Sequence, residues 1–573
     1  MNDNDKSKIL ENENNADAAT ATLDHRNMPR KSVLALAGIL AATLTAGSIA
    51  YAMQGSSQAA ATFPGNIPAQ QASANGSGGP NGAGTPNDAP DAGKGAGAPD
   101  EPGGQNGAPG QDGPGGADTQ TFDYSGNYSA TVAADGEGNI ISGKTLEASE
   151  SLTNVALAEN GGALTINDST LEKSGDADDG DSCNFYGVNS ILLAVGEKST
   201  AIISDSTLSA TSEGSNGIFA TDGATVFADN TSISTTAGNS RGLDATYGGS
   251  IVANDMDIDT QGDHCASFAT DRGGGYVSAS NSTAQTAGSG SPLIYSTGAI
   301  EVSNLTGTAT GSQIAGMEGL NTIGIYNSDL TSTLTKATAS DPIADGVIIY
   351  QSTSGDAETA TGEAARFEAV DSILSSAIQS GSMFYCTNTQ ANIVLQNTTL
   401  DFDSDAANLL VAAGNDSNNW GSADKNGAAV SFTGINETLA GNISADTISS
   451  IDLYLLNGTT WTGAAAIEAN DDGNTSESPI TVNIDDGSTW VVTDDCTISN
   501  LNAADGAQIV DTDGNAVNIV VDGETVVEGS SSITVNVTGS YSTSIATSAA
   551  QQIQGANIDR SSFDATMNEE IAF

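Results

Sequence analysis

ATVFADN, at residues 224–230, decides the fold, because its pattern of apolar, small and turn-forming residues returns about every 24 residues. It returns as GSIVAND at 249–255, as AIEVSN at 299–304 and as NTIGIYN at 321–327. A repeat of this length indicates a stack of similar supersecondary units, each of which buries its apolar face against its neighbours.

The repeat predicts columns of equivalent positions. An apolar column is expected at Ile202, Val226, Ile251, Tyr276, Ile300 and Ile323. A column of turn-forming residues is expected four residues later, at Ser206, Asn230, Asp255, Ser280, Asn304 and Asn327. Short β-branched runs between turn residues, without helical periodicity, predict strands. Because like residues stack on like only when successive coils lie about 4.8 Å apart in parallel, we predict an all-β parallel β-helix solenoid rather than a sandwich.

The remaining sequence divides around this solenoid. The predicted segments are a cytoplasmic leader (1–31), a transmembrane anchor or signal peptide (32–53), a disordered Gly/Pro/Ala-rich linker (54–120), an N-terminal cap (121–160), the parallel β-helix (161–430), further coils or a C-terminal capping β region (431–540), and a C-terminal tail that folds back or is disordered (541–573).

The N-terminal sequence predicts where the protein is located. Residues 32–53 carry no charge and follow three basic residues, Arg26, Arg30 and Lys31. A basic flank stays in the cytoplasm, so everything after Met53 is expected outside the membrane. The motif Ala50-Tyr51-Ala52 fits signal-peptide cleavage, whereas the long leader with its six acids favours an uncleaved anchor. Both alternatives predict a cell-surface or extracellular body, which contacts the membrane through the N-terminal helix alone.

Charge and cysteine content narrow the classes of partner. The chain has 71 acids, 15 bases and a net charge of −56. Because binding to a polyanion needs clusters of Lys and Arg, nucleic acid is not an expected partner. The four cysteines (Cys183, Cys265, Cys386 and Cys496) are too widely spaced for a metal motif and are expected to be buried free thiols. Trp420, Trp461 and Trp490 could stack on sugars or pack in the core.

Six phrases carry a family resemblance: GSNGIFATDGATV, SRGLDATYGGSIVA, DHCASFATDRGGG, GSPLIYSTG, GVIIYQSTSGDA and SMFYCTNTQANI. With them, residues 160–440 resemble right-handed parallel β-helix proteins of the pectate-lyase-like superfamily. More closely, they resemble the adhesin-like, surface-displayed β-helix proteins of Gram-positive gut bacteria. This resemblance implies a fold and not one function, because the superfamily contains lyases, hydrolases, epimerases and adhesins.

The strongest candidate site lies in two consecutive coils. It consists of Arg241, Asp244, His264, Asp271 and Arg272. Lyases of acidic polysaccharides use carboxylates for Ca²⁺ and an Arg or Lys base, and the patch contains these residue types. The alternative is that the two arginines pair with neighbouring aspartates. A complete catalytic set and an EF-hand loop are not found in the sequence, so no catalytic or metal-binding residue and no cofactor is assigned, although Ca²⁺ stays possible.

The sequence therefore favours a non-enzymatic surface protein, an adhesin or cell-envelope stalk that binds glycans or a host or bacterial surface. The alternative is an extracellular polysaccharide lyase or glycoside hydrolase that uses the patch at residues 241–272.

Overall fold

The structure, a computed structural model, describes Tyr124, residues 126–177, 179–352, Ala357, 364–415, 420–568 and Phe573. The predicted leader (1–31), anchor or signal peptide (32–53) and linker (54–120) lie outside the described residues. Within the described part, no helix has the length and hydropathy needed to span a membrane.

Short strands make up almost all of the described chain. The strands of the first six coils are β1 (Ala130–Asp135), β2 (Gly138–Ser142), β3 (Thr145–Ala148), β4 (Asn154–Glu159), β5 (Ala163–Asn167), β6 (Thr170–Lys173), β7 (Leu192–Val195), β8 (Thr200–Ser204), β9 (Thr207–Ala210), β10 (Ile218–Thr221), β11 (Thr225–Thr235), β12 (Leu243–Ala245), β13 (Ser250–Thr260), β14 (Phe268–Thr270), β15 (Tyr276–Ser280) and β16 (Thr283–Thr286). The next coils contain β17 (Ile294–Ser296), β18 (Ala299–Ser303), β19 (Thr306–Ala309), β20 (Ala315–Glu318), β21 (Thr322–Tyr326), β22 (Asp329–Ser332), β23 (Asp345–Tyr350), β24 (Ala365–Val370), β25 (Ile373–Ser376), β26 (Ser382–Thr387), β27 (Thr389–Gln396), β28 (Thr399–Asp401), β29 (Asn408–Ala412), β30 (Ala428–Ile435) and β31 (Thr438–Ala440). The C-terminal strands are β32 (Ile443–Asp446), β33 (Ser450–Leu456), β34 (Thr460–Gly463), β35 (Ala465–Glu468), β36 (Ile480–Ile484), β37 (Thr489–Val492), β38 (Cys496–Ile498), β39 (Asn500–Ala503), β40 (Gln508–Val510), β41 (Asn518–Val521), β42 (Glu524–Val527), β43 (Thr534–Val537) and β44 (Tyr541–Ser542).

The described helices are few and short. They are α1 (Gly180–Tyr186), between β6 and β7, a 3-10 helix (Thr547–Ala549), and α2 (Ser561–Met567) near the C-terminus.

The strands form a stack of parallel coils with three sides. The first strand of each coil belongs to sheet A, a 13-stranded sheet with the order β1-β4-β7-β10-β12-β14-β17-β20-β23-β26-β29-β32-β35. The second strand pairs in parallel with its equivalents from β2 to β39 and forms sheet B. The third strand forms sheet C, which is continuous with sheet B through the 11-residue strands β11 and β13. This arrangement is all-β and compatible with the predicted parallel β-helix; its handedness stays a prediction.

The predicted apolar column is correct in four coils and displaced by one residue in two. Val226 pairs with Ile251, and the column continues through Ile300 and Ile323. In the other two coils the inward residues are Ala201 and Val277, whereas Ile202 is half-buried and Tyr276 is 50% exposed. Because successive strand residues face opposite sides, Ile202 and Tyr276 belong to the outer surface of sheet B.

The predicted column of turn-forming residues is also displaced by one residue in the same two coils. Asp205 and Asn281, rather than Ser206 and Ser280, join Asn230, Asp255, Asn304 and Asn327, and all six have positive φ between 44° and 53°. Asn and Asp tolerate this left-handed conformation better than other non-glycine residues. Side chains of this column form hydrogen bonds between coils, since Asn230 Nδ2 donates to Asp205 Oδ1 at 2.6 Å and Asn304 Nδ2 donates to Asn281 Oδ1 at 2.6 Å.

The core is a narrow column of Ile, Val, Leu and Ala that continues through every coil. All four cysteines are buried and free, as predicted. The three tryptophans are also buried, and the rings of Trp461 and Trp490 stack in the core with centroids 4.8 Å apart. The packing interpretation of the tryptophans is therefore the one that the structure favours.

The two ends of the stack consist of strands as well. Residues 130–148 supply β1, β2 and β3, which pair in parallel with the next coil. Residues 431–540 contain further parallel coils up to β40, followed by a four-stranded sheet with the order β38-β43-β41-β42. The pair β41–β42 is antiparallel.

The C-terminal tail folds back along the outer surface of sheet B. We call residues 550–568 the C-terminal strap. Ala550 packs beside Val394 and Tyr454, whereas Phe563 packs on Phe227 and Val252, many coils nearer the N-terminus. The strap thus runs along the solenoid axis, from the coil that contains Val394 to the coil that contains Phe227.

Buried charges hold the strap in place. Glu301 accepts hydrogen bonds from the backbone N–H groups of Asn557 and Ile558 at 2.7 and 3.0 Å. Glu368 accepts from the N–H groups of Gln554 and Gly555 at 2.9 and 2.8 Å. In the opposite direction, the buried guanidinium of Arg560 in the strap donates to sheet B. Its acceptors are the carbonyl and hydroxyl oxygens of Ser278, the carbonyl oxygen of Ala253 and the hydroxyl oxygen of Ser280.

One buried carboxyl group gives the fold a defined dependence on pH. Glu437 is 4% exposed, accepts a hydrogen bond from the Thr398 N–H at 2.8 Å, and burial raises its pKa from 4.5 to about 8. The folded protein therefore prefers the protonated form, and this contribution to stability is lost as the pH rises from 4.5 towards 8. We expect Glu437→Gln, which keeps a carbonyl acceptor for Thr398, to stabilise the protein by about 2 kcal/mol at pH 8 and little at pH 4.5.

Thermal unfolding at several pH values checks this expectation. Glu468→Gln, at an exposed glutamate of β35, is the matched control and should leave the pH profile unchanged. A Glu437→Gln protein that is less stable than the parent at pH 8 would contradict the assignment.

Candidate functional site

The outward-facing residues of sheet A are apolar in the first coils and include charged and polar side chains in later coils. In the coils from β10 to β26, the outward residues at one register position are Phe219, Asp244, Ala269, Tyr295, Gly316, Ile348 and Tyr385. The apolar cluster of Leu157, Leu193 and Phe219 covers the coils before Asp244. The first charged residue of this column therefore appears at Asp244, inside the patch that the sequence selects.

Three of the five predicted site residues form one ionic cluster, which we call the Arg241 cluster: Arg241, Asp244 and Asp271. Arg241 Nη1 lies 3.1 Å from Asp244 Oδ2, and Arg241 Nη2 lies 2.8 Å from Asp271 Oδ2. Asp244 lies in β12 and Asp271 directly follows β14, so the guanidinium links two neighbouring coils. The exposed fractions of the three residues are 7%, 0% and 3%.

Helix α1 covers this part of sheet A. The hydroxyl group of Thr246, two residues after Asp244, donates to the Phe185 carbonyl oxygen of α1 at 2.9 Å. The Tyr186 ring stacks on Tyr247 with centroids 5.6 Å apart, and Tyr124 packs edge-on against both rings. Helix α1 and these aromatic rings therefore pack on residues 246 and 247, directly after Asp244, and the three residues of the Arg241 cluster are themselves buried.

Burial determines the electrostatics of the cluster. It raises the pKa of Asp244 to about 6, although Arg241 acts in the opposite direction. Burial also opposes the charge on Arg241, but Asp271 and Asp244 together raise the pKa of the guanidinium above its usual value. Asp244 Oδ1 is buried without a hydrogen-bond partner among the described residues. The arginine is therefore held as a cation between two carboxyl groups and is a poor proton acceptor.

The other two predicted site residues lie beside the cluster rather than in it. The Arg272 guanidinium lies over the Phe185 ring, 3.6 Å from its centroid, and helps to hold α1 on sheet A. His264 is an exposed residue at the turn before β14, with its backbone N–H bonded to the Ser289 carbonyl oxygen at 3.0 Å. The alternative in which the arginines pair with neighbouring aspartates thus describes Arg241 correctly. For Arg272, the structure shows a contact with the Phe185 ring.

Further polar and aromatic residues follow along the outer surface of sheet A. The Tyr295 hydroxyl donates to Glu318 Oε2 at 2.8 Å, and Ser352 also donates to Glu318. The rings of Tyr350 and Trp420 stack with centroids 4.7 Å apart. Of these residues, the sequence singles out Trp420 alone. It does not predict the contacts, because they join separate coils and a loop whose position the repeat does not specify.

Two carboxyl groups lie close together where sheet C turns into sheet A. Asp345 is 2% exposed, and neither of its carboxyl oxygens has a hydrogen-bond partner among the described residues. Burial raises its pKa well above the usual value, and the charge of Asp341 raises it further. Burial raises the pKa of Asp341 to about 7, and a hydrogen bond from Gln313 opposes this change. Each of the two carboxyl groups therefore keeps its proton to a higher pH than an exposed aspartate does.

Clusters of metal ligands do not occur in the part of the chain that the structure describes, where no group of three or more His, Cys, Asp or Glu side chains could hold a metal ion. Of the acidic run at 176–181, Asp179 caps α1 by accepting a hydrogen bond from the Ser182 N–H at 3.1 Å. The cap gives this acidic residue a structural role.

The fold and the Arg241 cluster define the class of protein: an all-β solenoid of parallel coils with a closed ionic cluster on its outer surface. No protein-family model matches the chain, and no curated protein matches it.

Proposed function

We propose that the protein is a surface-exposed, non-enzymatic β-helix protein, an adhesin or cell-envelope stalk that binds glycans or a host or bacterial surface. The observation that carries the proposal is the state of the Arg241 cluster. Its arginine is paired with two carboxyl groups under α1, so the basic residue that a lyase would need is occupied.

The chain outside the described residues supports the same proposal. The uncharged segment at 32–53 behind a basic flank, and the Gly- and Pro-rich stretch after it, fit an anchor and a spacer that hold a solenoid away from a membrane. The resemblance to right-handed β-helix proteins displayed by Gram-positive gut bacteria points in this direction as well. A long, stiff stack of coils suits a stalk, because each coil is supported by its neighbours.

A second candidate function is a glycoside hydrolase, and the pair Asp341 and Asp345 is the observation that favours it. Glycosidases use two carboxyl groups, one of which has a raised pKa and donates a proton to the leaving group. In this candidate, the reaction takes place beside Asp341 and not at the Arg241 cluster.

A depolymerisation assay separates these functions. The full chain is incubated with pectin, alginate, neutral plant polysaccharides and host glycans, with and without Ca²⁺, and newly formed chain ends are measured. The adhesin proposal expects binding without new chain ends. Activity that Asp345→Asn abolishes would establish the hydrolase, and activity that Arg241→Ala or Arg272→Ala abolishes would establish an enzyme at the 241–272 patch; either result would overturn the proposal.

A further inference from the structure

An open groove of about 650 Å³ lies where the chain turns from sheet A into sheet B. Its lining comes from six successive coils, from Gly248 after β12 to Asn392 in β27, and from the C-terminal strap. With about 4.8 Å between coils, these residues extend over about 24 Å. The groove is thus long enough for an oligosaccharide and lies at the turn beyond the Arg241 cluster.

Glycine forms the floor of the groove. Gly248, Gly273 and Gly274 have positive φ of 73°, 76° and 63°, a conformation that favours glycine. A Cβ atom on Gly275 would lie 2.5 Å from the Ala245 carbonyl oxygen, and one on Gly298 would lie 2.5 Å from the Gly275 backbone. Gly275 and Gly298 thus allow neighbouring coils to pack closely. At Gly248 no atom lies within 4 Å of the position of a Cβ, and at Gly274 the nearest atom is 3.5 Å away, so a ligand can approach the backbone at these two glycines.

The walls carry groups that recognise hydroxyls. Asn321, Asn392, Gln551 and Gln554 contribute carboxamides, each of which offers both a donor and an acceptor. Tyr276 is 50% exposed and presents an aromatic ring at the edge of the groove. Carboxamides that fix orientation beside an exposed aromatic ring suit an amphipathic ligand with many hydroxyl groups, such as a sugar.

The charge of the lining distinguishes it from the rest of the molecule. Although the chain has 71 acids, none of the described residues that line the groove is Asp or Glu. The charged residue in the lining is Arg366, whose guanidinium pairs with Glu368 and donates to the Gln552 carbonyl oxygen at 2.6 Å. A neutral ligand therefore fits better than a cation, which would need acidic partners, or a polyanion, which the net charge of −56 would repel.

From this lining we infer that the groove between the sheet A–sheet B turn and the C-terminal strap is a binding site for a neutral oligosaccharide. The inference rests on the proposed function, because it names the ligand class and the site through which a surface β-helix protein would bind glycans. The strap is part of the site, since Gln551 and Gln554 form one wall and Glu368 holds the strap backbone beside them.

Titration calorimetry of the full chain with five probes tests the inference: xylohexaose, cellohexaose, mannohexaose, chitohexaose and hexagalacturonate. We expect at least one neutral probe to bind and hexagalacturonate not to bind. Tyr276→Ala should weaken binding about tenfold or more, as expected for loss of an aromatic contact. Gly274→Asn should block it, because Asn tolerates positive φ and adds a side chain to the floor.

The matched control is Ile373→Ala, which removes an exposed apolar side chain from sheet C, 42% exposed and outside the groove. It should leave binding unchanged. Neutral binding that survives both groove variants would overturn the site but leave the proposed function in place. Adhesion to cells or polysaccharides without binding of any neutral probe would overturn the ligand class. Absence of all glycan and surface binding would overturn both the inference and the proposed function.

Discussion

Arg241→Ala is expected to lower the free energy of unfolding by about 3–5 kcal/mol, because it leaves two buried carboxyl groups without their cation. Arg241 contacts Asp244 at 3.1 Å and Asp271 at 2.8 Å, and the three residues are almost inaccessible to solvent. Chemical unfolding followed by tryptophan fluorescence measures the loss. Hydrogen exchange in β12 and β14 reports whether the loss is local to the cluster.

The control and the rescue make this prediction specific. Arg272→Ala removes a cation from the Phe185 ring and should cost about 1 kcal/mol. Combining Arg241→Met with Asp244→Asn and Asp271→Asn removes all three charges and should recover most of the lost stability, since an apolar or neutral replacement of a buried ionic group is often tolerated. A loss below about 1 kcal/mol in Arg241→Ala would show that the cluster is open to water.

Removal of the C-terminal strap is expected to have an effect at least as large. A chain that ends at Ala549 loses Phe563, and burial of one phenylalanine alone contributes about 3–5 kcal/mol. It also exposes Phe227 and Val252 and leaves the carboxyl group of Glu301 without its backbone donors. We expect a lower melting temperature, increased binding of a hydrophobic dye and loss of exchange protection in sheet B.

Two substitutions within the strap test whether the packing of the Phe563 ring accounts for the stabilisation. Phe563→Ala should reproduce much of the destabilisation, since the ring is fully buried. Ser562→Ala, at an exposed position of the same helix, should change stability by less than about 0.5 kcal/mol. If the shortened chain melts like the full chain without extra dye binding, the strap does not cover sheet B as described.

The repeat made the coil architecture predictable, and its errors have a simple cause. Apolar periodicity identifies Val226 and Ile251 as stacked residues, but it selects Ile202, a large β-branched residue, where the smaller Ala201 occupies the core position. The additional residue at Gly273–Gly275 lengthens the step from Ile251 to Val277 and displaces the expected position to Tyr276. Because strand side chains alternate, one residue of displacement moves a side chain from the core to the surface.

The sequence predicts the contacts between residues that are one coil apart. It does not predict the contacts between segments that are far apart in the sequence. Arg241, Asp244 and Asp271 meet because neighbouring coils stack in register. Helix α1 and the C-terminal strap contact residues that are far from them in the sequence; for example, the Asn557 N–H donates a hydrogen bond to Glu301. The repeat does not specify where such segments pack. The neutral groove was missed for a similar reason, since glycines and carboxamides carry no catalytic pattern.

Binding and cleavage measured in one incubation distinguish a glycan-binding solenoid from an enzyme. The full chain is mixed with the neutral polysaccharide whose hexamer binds best, and both the bound fraction and the length distribution of the polysaccharide are recorded over time. We expect saturable binding that Gly274→Asn abolishes, with the polysaccharide length unchanged. Shortening of the polysaccharide by the parent chain, lost in Asp345→Asn, would contradict a non-enzymatic function.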